Sequence, residues 1–239
     1  MTRGLSNSSS RHHLGCAVLS VPILLLASYA CPGASPPIEP DPALLQAAAD
    51  APAVDVARSL CSAKLALKVS EYAELGANVT VVVGATEITR ENIGQVRKDM
   101  EQRIATYEVA IRQRGTADIA GTYRAMATNC TNSGSLLASA ISEGLRDASV
   151  TQVGPAFGLA LRGKIRGKKE KLDADGCVAE NTLALTDPVE SGYTYIGEAT
   201  EGRLLIRPDV ETILSGMFPP ADRATLEACL VTLERPAKP

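Results

Sequence analysis

At Gly115 the chain changes its period. Before it, from Ala53 on, apolar residues return every three or four positions; after it, short apolar runs alternate with small or polar residues, and glycine-bearing turns follow closely on one another. A period near 3.6 specifies a helix with one buried face, and a period of two specifies a strand with one buried face. After Gly115 the strands come in quick succession. The chain therefore reads as α+β, a helical N-terminal half followed by an antiparallel β-meander, rather than the parallel sheet that alternating strands and helices would build.

In the first half, Ile93, Val96, Met100, Ile104, Tyr107 and Ile111 step by three or four and predict a helix from about Thr89 to Arg114, stopped by Gly115. Arg97 with Glu101 and Glu108 with Arg112 place opposite charges four apart on its polar side. The stripe reads as one side of the domain's own core, the alternative being a seam for a partner protein. Upstream, Asp50 and Pro52 open a helix carrying Val54, Cys61, Leu65, Val69 and Tyr72 on one face. Asn78 to Val83, rich in β-branched residues, reads as a short strand.

In the second half, 119–128, 150–153, 157–165, 178–185, 193–196 and 204–206 read as strands, with turns at Gly154-Pro155, Asp175-Gly176, Ser191-Gly192 and Glu201-Gly202. Ser135 to Leu145 reads as a helix between them. A meander of this kind curls toward a barrel. The tail returns to helix over 210–214 and 221–230, with Leu226, Cys229 and Leu230 on the apolar side of the last one.

The first 30 residues carry an address. Behind Arg3 and Arg11 lies an apolar run from Leu14 that ends Ser28-Tyr29-Ala30-Cys31. Charged leader, apolar centre and small residues at the end are the parts of a cleavable export signal. At 17 residues, broken by Ser20, Pro22 and Ser28, Leu14 to Ala30 falls short of the roughly 20 a spanning helix needs. Ala30 followed by Cys31 resembles the lipobox of bacterial lipoproteins, although Ser28 and Tyr29 depart from its pattern. The resemblance implies a lipid on Cys31 and a bacterial envelope location, the alternative being a soluble secreted protein. Five prolines between Pro32 and Pro42 make a semi-rigid tether behind that anchor. The expected organisation is a signal peptide over 1–30, a tether over 31–42 and one exported domain over 43–239, helical to 115, β to 207 and helical after.

Cysteine parity agrees with the anchor. Without the leader, Cys31, Cys61, Cys130, Cys177 and Cys229 remain; with Cys31 acylated, four are left for two disulfides. The expected pairs are Cys61 with Cys229, both on terminal helices, and Cys130 with Cys177 across the meander.

The leader also holds both histidines, His12 and His13, so the mature chain has none. Serine–histidine and cysteine–histidine catalysis and histidine-ligated zinc are thereby excluded. Asp173-Ala-Asp175-Gly176 has only a fragment of a calcium loop, and a turn explains it better. No cofactor or metal is expected, and no pair of residues stands out as catalytic. Without the leader the chain is acidic, 22 basic residues against 27, and it lacks tryptophan, which argues against nucleic acid. Against that background Arg162, Lys164, Arg166, Lys168, Lys169 and Lys171 stand within ten positions beside one acidic residue, Glu170. They form a candidate patch for an anionic envelope polymer, an envelope protein or lipid headgroups, or else a solvated hairpin connection. Asn78-Val-Thr80 and Asn129-Cys-Thr131 are glycosylation acceptors only in a eukaryotic setting. The expected role is non-catalytic binding or scaffolding in the envelope, the alternative being a histidine-free hydrolase using carboxylates or Ser and Lys.

Overall fold

The computed structural model describes residues 38–73, 81–83, 86–131, 135–186, 194–215 and 223–236. The leader, Cys31, the tether as far as Pro37 and the Asn78 acceptor lie outside the described residues.

Three helices and a small hairpin come first: α1 (Pro42–Asp50), α2 (Ala53–Ala73), β1 (Val81–Val83), β2 (Thr86–Ile88) and α3 (Ile93–Arg114). The meander follows as β3 (Gly121–Thr128), α4 (Leu136–Glu143), β4 (Asp147–Val153), β5 (Ala156–Ile165), β6 (Lys168–Ala179), β7 (Thr182–Thr186), β8 (Thr194–Thr200) and β9 (Arg203–Pro208). The tail is α5 (Val210–Ser215), α6 (Arg223–Ala228) and β10 (Leu230–Glu234). Strands β3 to β10 form a closed barrel in chain order, each antiparallel to the next, with β10 returning to pair with β3. Closure removes the edges that an open meander exposes. The expected α+β architecture with a curled meander is therefore the fold.

Alternation along the strands sorts the side chains into two cores. Inward-facing Tyr123, Ala125, Ala148, Val150, Phe157, Leu159, Leu161, Val178, Leu183, Leu185, Tyr195, Leu204, Ile206, Val231 and Leu233 fill the barrel with close-packed side chains. Helix α4 adds Leu137, Ala138, Ala140 and Ile141 to the same core. Its N-cap Ser135 accepts from the Ala138 amide at 3.1 Å, and the Ser135 hydroxyl is 2.9 Å from that of Tyr195. The second core lies outside the barrel, where outward-facing Cys177, Ala179 and Ala184 of β6 and β7 meet Val56, Ala57, Leu60 and Cys61 of α2.

Helix α2 is thus held between the barrel and α3, and this changes which face of it is buried. Val54, Leu65 and Val69, expected inside, are only half-buried, whereas Ala57, Ala63 and Ala66 are sealed. A helix packed on two sides needs small residues where its neighbours approach most closely. On α3, Val96, Met100 and Ile111 are buried and Ile93, Ile104 and Tyr107 pack against the same clusters, so the stripe belongs to the domain's own core. Of the charges expected to pair along α3, Glu108 and Arg97 reach α2, and Arg112 bonds to the backbone of its own helix. Glu108 takes Lys64 of α2 at 2.8 Å, Arg112 donates to the Glu108 carbonyl, and Arg97 donates to the Ser70 hydroxyl and carbonyl.

Two arginines join the layers. Arg114, in the last turn of α3, donates to the Ala48 and Ala51 carbonyls at the end of α1 and pairs with Glu180 in the β6–β7 turn at 2.8 Å. Arg58 of α2 pairs at 2.7 Å with Asp209, which is almost wholly buried and also accepts from the Thr212 hydroxyl. A buried carboxylate is tolerated because charge-assisted hydrogen bonds replace its water.

Three sequence expectations are corrected. Asp175-Gly176 is not a turn but the middle of β6, where Gly176 faces the interior beneath Phe157, its partner across the ladder. A methyl group on Gly176 would come within 2.2 Å of the Phe157 ring, so glycine is there for close approach and not for a bend. The strand expected over 178–185 is broken at Glu180-Asn181, with Glu180 at φ 54°. The last helix stops at Ala228, and Leu230–Glu234 is a strand, because Val231 and Leu233 are needed to fill the barrel between β9 and β3.

Candidate binding surface

The basic residues of 162–171 form the end of the β5–β6 hairpin, joined by a two-residue turn at Arg166 (φ 49°) and Gly167 (φ 80°). Two successive left-handed residues define the turn whose twist matches paired strands. The hairpin outruns its neighbours. Pairing of β4 with β5 ends at Asp147 opposite Arg162, and pairing of β6 with β7 ends at Asp175 opposite Thr186. Among the described residues, Gly163–Ile165 and Lys168–Glu170 therefore pair only with each other, as the two-stranded end of an arm, and Lys171–Ala174 have β5 as their one neighbour.

Alternation again decides what the arm presents. On the outward face Arg162 stands opposite Lys171 and Lys164 opposite Lys169, two like-charged cross-strand pairs in succession. Such pairs cost stability, and nothing in the packing requires them. All six basic residues are exposed. Among the described residues only Lys171 has a carboxylate partner, Asp173 at 2.5 Å. The lysines also keep the free edges of the arm from pairing with another strand.

The root of the arm is fixed by close backbone packing. Gly163 lies against Gly144, just after α4, and a methyl group on Gly163 would stand 2.0 Å from the Gly144 carbonyl oxygen. Gly144 itself has φ 131°, and its own methyl would meet the Lys164 carbonyl. The two glycines let the turn after α4 touch the hairpin, which orients the arm relative to the barrel.

Below the arm the outward face of β5 and β6 becomes small: Ala160, Gly158 and Ala156 stand opposite Asp173, Asp175 and Cys177. Helix α2 runs beside it, leaving a groove of about 420 Å³ lined by Cys61, Lys64, Leu65 and Lys68 on one side and by Thr151, Val153 and Phe157 among the barrel residues. Lys68 and Asp175 bridge its rim at 3.1 Å. The surface thus grades from a sulfur-lined groove to a cationic tip.

The cysteines differ from expectation. Cys130 is bonded to Cys229, while Cys61 and Cys177 are free and buried, so neither expected pair is formed. Cys130 follows β3 and Cys229 precedes β10, and the bond crosses the seam where the last strand meets the first. Burial pushes the Cys61 thiol well above its ordinary range, and the nearby Cys177 side chain raises it further. Among the described residues, no three of His, Cys, Asp and Glu converge as they would around a metal ion, and no helix is long and apolar enough to cross a membrane.

These features define an up-and-down eight-stranded antiparallel barrel with a side-chain-filled interior, a helical layer on β6 and β7, and a projecting basic hairpin. No family model, no curated protein and no solved structure matches the chain.

Proposed function

We propose that the protein is an exported cell-envelope protein, anchored by lipid on Cys31, whose barrel domain is a non-catalytic binding module for an anionic envelope polymer. The observation that carries the reading is the arm: two stacked like-charged pairs on the outward face of a hairpin held at its root, in a chain that is acidic overall. A cationic face of this kind is stabilised by an anion that bridges the pairs. The disulfide at the barrel seam is compatible with an oxidising compartment.

Two measurements test this reading. The intact mass of protein taken from the native membrane fraction is expected to show a chain beginning at Cys31 with added acyl mass; a chain beginning there without it sinks the anchor. For the arm, polyphosphate serves as the polyanion probe, with phosphatidylglycerol vesicles as the competing surface. Binding to the polymer is expected to weaken with salt, and Arg162→Glu, Lys164→Glu and Lys169→Glu together are expected to weaken it at least about tenfold. Unchanged affinity in the triple variant removes the arm from the proposal, and a preference for vesicles redirects it to the membrane surface.

A further inference from the structure

Helix α2 and strand β6 are far apart in sequence, yet each delivers a cysteine to the same point between helix and barrel. Cys177 faces outward from β6 and stands opposite Ala184 in the ladder with β7. Cys61, in the middle of α2, donates its thiol hydrogen to the Ala184 carbonyl at 3.4 Å. Both cysteines line the same groove beside α2, and the nearness of Cys177 helps the Cys61 thiol to retain its proton. Both are nearly sealed, 5% and 1% exposed, within one cluster that includes Ala57, Leu60 and Ala179. A disulfide needs Cβ atoms about 3.5–4.5 Å apart, a spacing within reach of two side chains that meet at one backbone position. The other described cysteines are already joined, so conditions that close the barrel seam also supply an oxidant for this pair.

We propose that Cys61 and Cys177 are a second disulfide site, closed by exchange with a small-molecule or protein disulfide, that fastens α2 to the barrel wall. One cysteine gives up its proton and attacks the donor R–S–S–R, whose sulfur–sulfur bond breaks to release the first R–SH and leave a mixed disulfide. The other cysteine then loses its proton and attacks the protein-side sulfur, expelling the second R–SH. The two cysteines lose two electrons and two protons in all, and the donor gains both.

Access decides when this happens. Both cysteines are among the residues lining the groove beside α2, but burial keeps the Cys61 thiol protonated and therefore a poor nucleophile while the helix is docked. Exchange is slow on the folded protein and fast in a chain whose α2 has not yet settled. Once made, the bond is shielded from reductant by the same packing.

The test uses the full chain, reduced in urea, refolded with reduced and oxidised glutathione, acid-quenched, alkylated and digested without reduction. Two cross-linked peptide pairs are expected, Cys130 with Cys229 and Cys61 with Cys177; Cys16 and Cys31 are followed in the same digest. In protein already carrying the first bond, oxidised glutathione is expected to close the second at least about tenfold faster in urea just below the unfolding midpoint than in buffer. The proposal is overturned by a refolded chain that carries Cys130–Cys229 while Cys61 and Cys177 both take iodoacetamide, and equally by either one found joined to Cys130 or Cys229. Because the oxidant is supplied in the tube, neither result bears on export or on anion binding.

Discussion

Replacing Cys130 and Cys229 together by alanine lowers the unfolding free energy by about 2–4 kcal/mol, read as a fall in the urea midpoint. The bond spans 99 residues, so its loss restores a large conformational freedom to the unfolded chain. Its position adds to the effect. The β3–β10 ladder runs from Thr128 opposite Leu230 to Arg124 opposite Glu234, and the disulfide sits at the Thr128 end. This is the barrel contact with the greatest separation along the chain, and the one that chain entropy opposes most. In a background with Cys61 and Cys177 replaced by alanine, dithiothreitol is expected to reproduce the shift where the seam bond is present and to change nothing where it is absent. A midpoint that stays put in the alanine variant would mean that the hydrogen bonds of the seam hold it unaided.

Gly176→Ala is expected to destabilise the barrel wall by crowding a buried ring. The added carbon would lie 2.2 Å from the tip of the Phe157 ring and 2.6 to 2.7 Å from its flanks. The ring is 5% exposed and enclosed by the barrel core, so it cannot swing into solvent. Overpacking of this kind costs about 1–3 kcal/mol, measured as a lowered urea midpoint. The control is compensation: Phe157→Leu makes room for the methyl, so the double variant is expected to lose less than the sum of the two single changes. Additive losses would show that the Phe157 ring is not what the added methyl crowds.

What was legible in the sequence was local. The stripe from Ile93 to Ile111 predicts α3 because each apolar residue answers to a neighbour one turn away, and Phe157, Leu159 and Leu161 predict β5 by alternation alone. What depended on distant partners was not legible. Cys229 and Leu230 follow Leu226 at helical spacing, and only the gap between β9 and β3 selects a strand after Cys229. Cysteine pairing failed for the same reason, since the barrel seam joins Cys130 to Cys229 and α2 docking brings Cys61 to Cys177. The basic arm was visible as composition, but Asp175-Gly176 is a stronger turn dipeptide than Arg166-Gly167, which displaced the expected bend. The α2 groove was hidden because its floor is made of small residues, whose meaning appears only when a helix lies across them.

The order of the strands has a consequence for how the chain acquires its shape. Each barrel strand pairs with the next in sequence except at one place, where β10 must find β3. A chain delivered from its N-terminus can assemble seven strands in succession and still be an open sheet with two bare edges. Only when residues 230–234 arrive does the sheet become a cylinder, and only then are Cys130 and Cys229 close enough to bond. Completion is therefore a late, single event: until the last strand docks, the polypeptide remains openable, as a chain must be if it is to pass through a membrane before it folds.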